Sequence, residues 1–92
     1  MPHEEPVSDC WVDVFESDYF MGRRRRLTGP QKLRKLQARS LIVGPKATVV
    51  ISVYRDNHPS TIKLHANRLV PDLNKSMGSA ILSDVVVESL EW

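Results

Sequence analysis

The chain has 92 residues, enough for one domain and too few for a large core. A net charge of +2, with 41% hydrophobic and 26% charged residues, fits a globular chain and excludes one that is disordered throughout. No apolar run approaches the roughly 20 residues of a membrane-spanning helix, and the acidic start through Glu4 and Glu5 has no apolar stretch of the secretion-signal kind. The single cysteine, Cys10, excludes an intrachain disulfide. A reducing, cytoplasmic setting is therefore expected, because small secreted domains usually carry several disulfides.

Residues 1–9, with two prolines, several acids and little that is apolar, read as a flexible acidic tail. Residues 10–92 read as one domain. Trp11 to Phe15 alternates, with Val12 and Val14 on one face and Trp11, Asp13 and Phe15 on the other, as in a half-buried strand. Pro30 to Arg39 differs: Leu33 and Leu36 stand three apart among basic residues, and Pro30 is placed as at a helix start, so a helical turn is predicted. Leu41-Ile42-Val43 is a short apolar run closed by Gly44-Pro45. Thr48 to Tyr54 is rich in strand-favouring Val, Ile, Thr and Tyr. A turn follows at 56–60, and Thr61 to Asn67 alternates again, with Ile62, Leu64 and Ala66 inward. Pro71 interrupts the pattern, and a final strand is expected around Val85-Val86-Val87. Short strands broken by turn residues about every ten positions predict an all-β sandwich or barrel.

Chemistry is sparse. His3, His58 and His65 lack metal-ligand spacing, and no nucleophile elbow, phosphate-cradling glycine loop or zinc-protease helix occurs. No catalytic residue, metal ligand or small-molecule substrate is assigned, and the expectation is a protein that is not an enzyme.

The most informative pattern is Phe15-Glu16-Ser17-Asp18-Tyr19-Phe20-Met21-Gly22, followed at a distance by Ser40 heading an apolar strand. Gly22 can take positive φ where the chain bends back, Phe15 and Phe20 can cover the bend, and the Ser40 hydroxyl can bond its backbone. In these residues the chain resembles the βγ-crystallin family, whose signature is Tyr/Phe-Glu-x-x-x-Phe-x-Gly with a later strand-heading serine. Phe15, Glu16, Phe20, Gly22 and Ser40 match in order, and Ser83 is similar to the second such serine. The resemblance covers about residues 11–90. It implies a two-sheet Greek-key sandwich built from two motifs, about 11–47 and 48–90. Tyr54 to Asn57 looks like the second hairpin tip, but no aromatic or glycine follows at the positions of Phe20 and Gly22, so the second motif is degenerate.

Many members of that family bind calcium through Asn/Asp-Asn/Asp-x-x-Ser/Thr-Ser. The corresponding segments here are 35–40, with Lys35, Leu36 and Arg39 at ligand-bearing positions, and 78–83, with Leu82 in place of the ligating hydroxyl. Calcium takes hard oxygen ligands, so binding is expected to be reduced or absent and no cofactor is assigned.

The charges are segregated: residues 1–20 hold six acids and no Lys or Arg, and residues 21–40 hold eight bases and no acid. This pattern admits three readings, the first a solvated face whose arginines pair with neighbouring acids of the tail or of another chain. Complementary patches on two copies suggest a homodimer. The third is a nucleic-acid or polyanion site formed by Arg23, Arg24, Arg25, Arg26, Arg34, Lys35 and Arg39, although no aromatic stands among them for base stacking. The leading expectation is a non-enzymatic structural or interaction domain of βγ-crystallin type.

Overall fold

The computed structural model describes residues 9–55 and 58–90; the expected acidic tail, apart from Asp9, lies outside them. The described residues form eight strands and one short α-helix: β1 (Trp11–Phe15), β2 (Arg24–Thr28), β3 (Gln31–Gln37), β4 (Ser40–Val43), β5 (Ala47–Arg55), β6 (His58–Leu64), β7 (Leu69–Val70), α1 (Leu73–Met77) and β8 (Ile81–Ser89), with a 3-10 turn at Asp18–Phe20 between β1 and β2. Two antiparallel four-stranded sheets result, ordered β2-β1-β4-β7 and β3-β8-β5-β6. The expected all-β, two-sheet architecture is what the chain adopts.

The order of strands carries a symmetry. Among β1–β4, strands 1, 2 and 4 share a sheet and β3 crosses to the other; among β5–β8, strands 5, 6 and 8 share a sheet and β7 crosses back. Each sheet is thus completed by the third strand of the other half. The core forms between the sheets from alternating inward residues: Val12, Val14, Leu41 and Val43 from one, Val49, Ile51, Leu82, Val85 and Val87 from the other. At one end Gly44 runs beneath the Trp11 ring so closely that a Cβ there would come within 2.7 Å of it.

Two local expectations are corrected and one element was not anticipated, each for a physical reason. The segment with Leu33 and Leu36 is a strand, not a helical turn. Lys35 takes a left-handed backbone, φ 54°, and this single residue shifts the alternation. Leu33 packs against the core, Lys35 is exposed, and Leu36 is buried. The facing strand shifts its phase at the same level while the register is kept: Leu33 lies opposite Val85 and Leu36 opposite Leu82, and Val85 and Leu82 are both buried. An apolar spacing of three therefore arises in extended chain.

The second concerns the turn expected at 56–60, of which 56–57 lie outside the described residues. His58–Ser60 are already in β6, because Arg55 pairs with His58 and Tyr54 with Pro59. Pro59 is tolerated there because β6 is an edge strand. The third is α1, which alternation alone did not predict. Asp72 caps it by accepting a hydrogen bond from Lys75 N at 3.0 Å, Gly78 ends it at φ 77°, and Leu73 and Met77, four apart, are its buried residues.

The phase shift at Lys35 has a direct test. Leu36→Ala is expected to cost about 2–4 kcal/mol in chemical denaturation, as for a truncated core residue. Lys35→Ala should change stability by less than about 0.5 kcal/mol. Equal effects, or the reverse order, would show that β3 keeps strict alternation.

Candidate functional site

The signature residues meet at one end of the sandwich. Between β1 and β2 the chain does not form a simple turn: residues 16–23 fold back on themselves, held by Glu16 N to Arg23 O at 3.0 Å and Ser17 N to Met21 O at 3.0 Å. Tyr19 and Phe20 are both left-handed, φ 57° and 62°. Such conformations are costly for residues with a Cβ and persist only where their surroundings enforce them. The enforcing group is Ser40. Its hydroxyl, fully buried, accepts from Phe20 N at 2.9 Å and donates to Ser17 O at 2.6 Å. Phe20 then meets Phe15 edge to face, with ring centroids 5.7 Å apart. Gly22 closes the fold at φ 81°, where a Cβ would sit 2.9 Å from Ser17 Oγ and 3.2 Å from the Glu16 side chain. The tip is pinned from outside by Tyr19 N donating to Pro71 O at 2.8 Å.

The second half solves the same position differently. Its hairpin is straight, with β5 and β6 paired out to Arg55 and His58. Ser83 lies within β8, two residues after its start. Its hydroxyl still accepts from Tyr54 N, at 3.2 Å, which makes the geometric counterpart of the Ser40–Phe20 bond. Tyr54 is exposed, and its phenol donates to Asp84 Oδ2 at 2.9 Å. That hydrogen bond, reinforced by the Asp84 charge, raises the phenol pKa above its ordinary value.

The basic residues named from the sequence do not form one patch; strand geometry divides them. Arg24 and Arg26, two apart on β2, turn to the outer face of their sheet. There Arg26 makes a two-pronged pair with Asp13, Nε–Oδ1 2.7 Å and Nη2–Oδ2 2.9 Å, and Arg24 Nη1 stands 3.6 Å from Asp13 Oδ2. The Arg26 guanidinium also stacks on Trp11, 4.2 Å from the ring centre. Asp13, expected on a solvated face, is 4% exposed because these cations cover it. Hydrogen bonding to Asp13 raises the Arg26 pKa further above its already high ordinary value.

Arg23, Arg25, Arg34, Lys35 and Arg39 go elsewhere. They line an open groove of about 490 Å³ between edge strands β2 and β3, with Glu16 as the acid among its lining residues. Val14, Leu33 and Leu36 lie at its apolar floor. Arg34 Nε reaches Asp84 Oδ1 only at 3.9 Å, and Arg39 Nη1 reaches Asp18 Oδ1 at 3.8 Å. No ion pair is formed by Arg23, Arg25 or Lys35 with any acid among the described residues.

The positions compared above with calcium-ligand segments are occupied by Lys35, Arg39 and Leu82. Lys35 and Arg39 bring cations to the groove. Arg39 is fixed in place by donating its backbone N–H to Phe15 O at 3.0 Å and accepting from Leu73 N at 2.8 Å. Leu82, where a hydroxyl would be needed, is fully buried in the core. Among the described residues no group of three or more His, Cys, Asp or Glu side chains is placed to hold a metal, and no helix is long and apolar enough to cross a membrane.

No protein-family model matches the sequence, and no curated protein does. Solved structures are similar in fold. One, from work on the evolution of the eye-lens βγ-crystallin domain fold, superposes with a TM-score of 0.73 at 20% identity, over 99% of this chain and 96% of that one. The Abundant Perithecial Protein of Neurospora crassa superposes with a TM-score of 0.69 at 17% identity, over 92% of this chain and 42% of that one, so this chain spans under half of its length. A βγ-crystallin domain of the same fungal protein, in its Ca²⁺-bound form, gives a TM-score of 0.65 at 18% identity, over 96% and 98%. The chain thus has the fold of a βγ-crystallin domain.

The two serines separate the halves experimentally. Ser40→Ala leaves the partly buried Phe20 N–H and Ser17 C=O without their partner and is expected to cost about 1–3 kcal/mol, a melting decrease of roughly 4–20 °C for a domain of this size. Ser83→Ala removes one exposed bond and should cost less than about 1 kcal/mol. Similar losses in calorimetry would contradict the difference drawn between the two hairpins.

Proposed function

We propose, from a chain that carries the βγ-crystallin fold, that this is a non-enzymatic structural and interaction domain which stands without calcium. One observation carries the reading: where the calcium-binding members of the family place a ligating hydroxyl, this chain has Arg39, with its guanidinium beside Asp18 at 3.8 Å. A resident cation near the hairpin carboxylate repels a second one. The apolar core runs continuously between both sheets, which supports stability from packing.

Millimolar calcium is accordingly expected to leave the melting temperature unchanged, because a ligand that does not bind the native state cannot stabilise it. Calorimetric titration should give no saturable heat. A saturable isotherm accompanied by a rise in melting temperature would overturn the reading.

Self-association belongs to the same proposal, with a changed driving force. Asp13 and Asp18 of the acidic flank pair with Arg24, Arg26 and Arg39 of the basic segment within one chain. Much of the complementary charge is therefore satisfied internally. Apolar residues also stay exposed: Tyr19 and Met21 at the hairpin tip, 66% and 63% exposed, and Leu69 on edge strand β7. A homodimer formed through such residues should keep its mass when salt is raised from about 0.15 M to about 1 M, where the Debye length falls from about 8 Å to about 3 Å. Light scattering over a dilution series measures this; a monomer mass throughout would refute the dimer, and dissociation at high salt would restore the electrostatic explanation.

A further inference from the structure

The two sides of the arginine run are treated differently by the fold. On the outer face Arg24 and Arg26 receive a buried carboxylate, Asp13. On the other side five cations converge on one groove, where Glu16, the acid among the described lining residues, accepts from Arg23 N at 3.4 Å, and Arg34 and Arg39 make only long contacts to Asp84 and Asp18, 3.9 and 3.8 Å. Gathering like charges with so little close counter-charge among the described residues destabilises the folded chain. Here the gathering also depends on a left-handed Lys35, a conformation that costs energy in its own right. Strict alternation along β3 would have turned Lys35 inward with Leu33. The strained residue is what brings its ammonium to the rim.

The shape and chemistry of the groove restrict what could neutralise it. A volume of about 490 Å³ accepts a compact ligand. A single carboxylate would leave most of the charge unmet, so the ligand must carry several negative charges close together. Four of the five cations are arginines, whose planar forks pair two donors with the oxygens of a phosphate. Base recognition is disfavoured: Phe15, the aromatic lining the groove, is half-buried and packs against Phe20, leaving no free face for stacking. We propose that this groove, flanked by β2 and β3, is a binding site for a compact multivalent phosphate, an oligophosphate chain or a polyphosphorylated small molecule. The proposal goes beyond the calcium-independent reading and does not rest on it.

The probe is sodium tripolyphosphate, titrated calorimetrically into the full chain at near-physiological salt without calcium, with the melting temperature followed in parallel. Saturable binding with a rise in melting temperature is expected. Arg25→Gln and Arg34→Gln, both exposed residues, should each weaken it about tenfold, the scale of one lost charge-assisted contact, while melting without ligand does not fall, because each variant relieves part of the repulsion. Lys63→Gln, on the opposite edge strand β6, removes the same charge and should leave affinity unaltered. Absence of saturable binding would overturn the proposal, as would equal weakening by Lys63→Gln, which would reduce it to diffuse attraction. Citrate binding as tightly as tripolyphosphate would overturn the assignment to phosphate. An oligothymidylate binding more tightly at equal phosphate concentration would overturn it in favour of single-stranded nucleic acid.

Discussion

One buried hydroxyl holds the folded-hairpin end of this domain together. Ser40 Oγ accepts from Phe20 N and donates to Ser17 O across a gap of some twenty residues in sequence. Those two bonds keep Tyr19 and Phe20 left-handed, and everything at that end follows. The folded tip sets Phe20 against Phe15, brings Asp18 to Arg39, and turns Glu16 toward the groove. Buried hydrogen bonds of this kind matter because the alternative is not a hydrated group but an unpaired one.

The second constraint is the exchange of third strands. Because β3 completes the sheet of the second half and β7 that of the first, neither half can keep a full sheet alone. The same exchange places β2 and β3, adjacent in sequence, on the edges of different sheets. Edge strands commonly carry charge, which guards against edge-to-edge pairing, and the arginines of β2 are consistent with that. The division of those arginines is a consequence of period-two geometry: alternate residues must face opposite sides, so one set finds Asp13 and Trp11 and the other finds the groove.

The two halves also show how much local variation the architecture absorbs. A folded hairpin with Gly22 and a straight one without a corresponding glycine serve the same topological role, and a serine hydroxyl meets the backbone of each hairpin at the corresponding point. In the first half that contact is sealed by aromatic packing; in the second it is exposed, and the Tyr54–Asp84 bond is added beside it. The topology is common to both, while burial differs. This is why the fold matches solved βγ-crystallin domains at TM-scores of 0.65–0.73 despite identities of 17–20%.

The sequence by itself determined the class of the fold and the hairpin. Alternation in Trp11–Phe15, the β-rich run into Tyr54 and the spacing of Phe15, Phe20, Gly22 and Ser40 are local properties, and local properties survive translation into structure. The end of α1 was legible in principle from Asp72 and Gly78, but a helix of five residues carries too little periodicity to stand out. What only the tertiary structure decided is where charge and phase come to rest. Leu33 and Leu36 are compatible with a helical turn or with a strand containing one left-handed residue, and pairing with β8 chooses the strand. A run of four arginines contains no information about partners; burial of Asp13 beneath two of them, and convergence of the others with Lys35 and Arg39, depend on strands far apart in the chain meeting in one register. Side-chain pattern is written residue by residue, whereas electrostatic neighbours are set by long-range pairing.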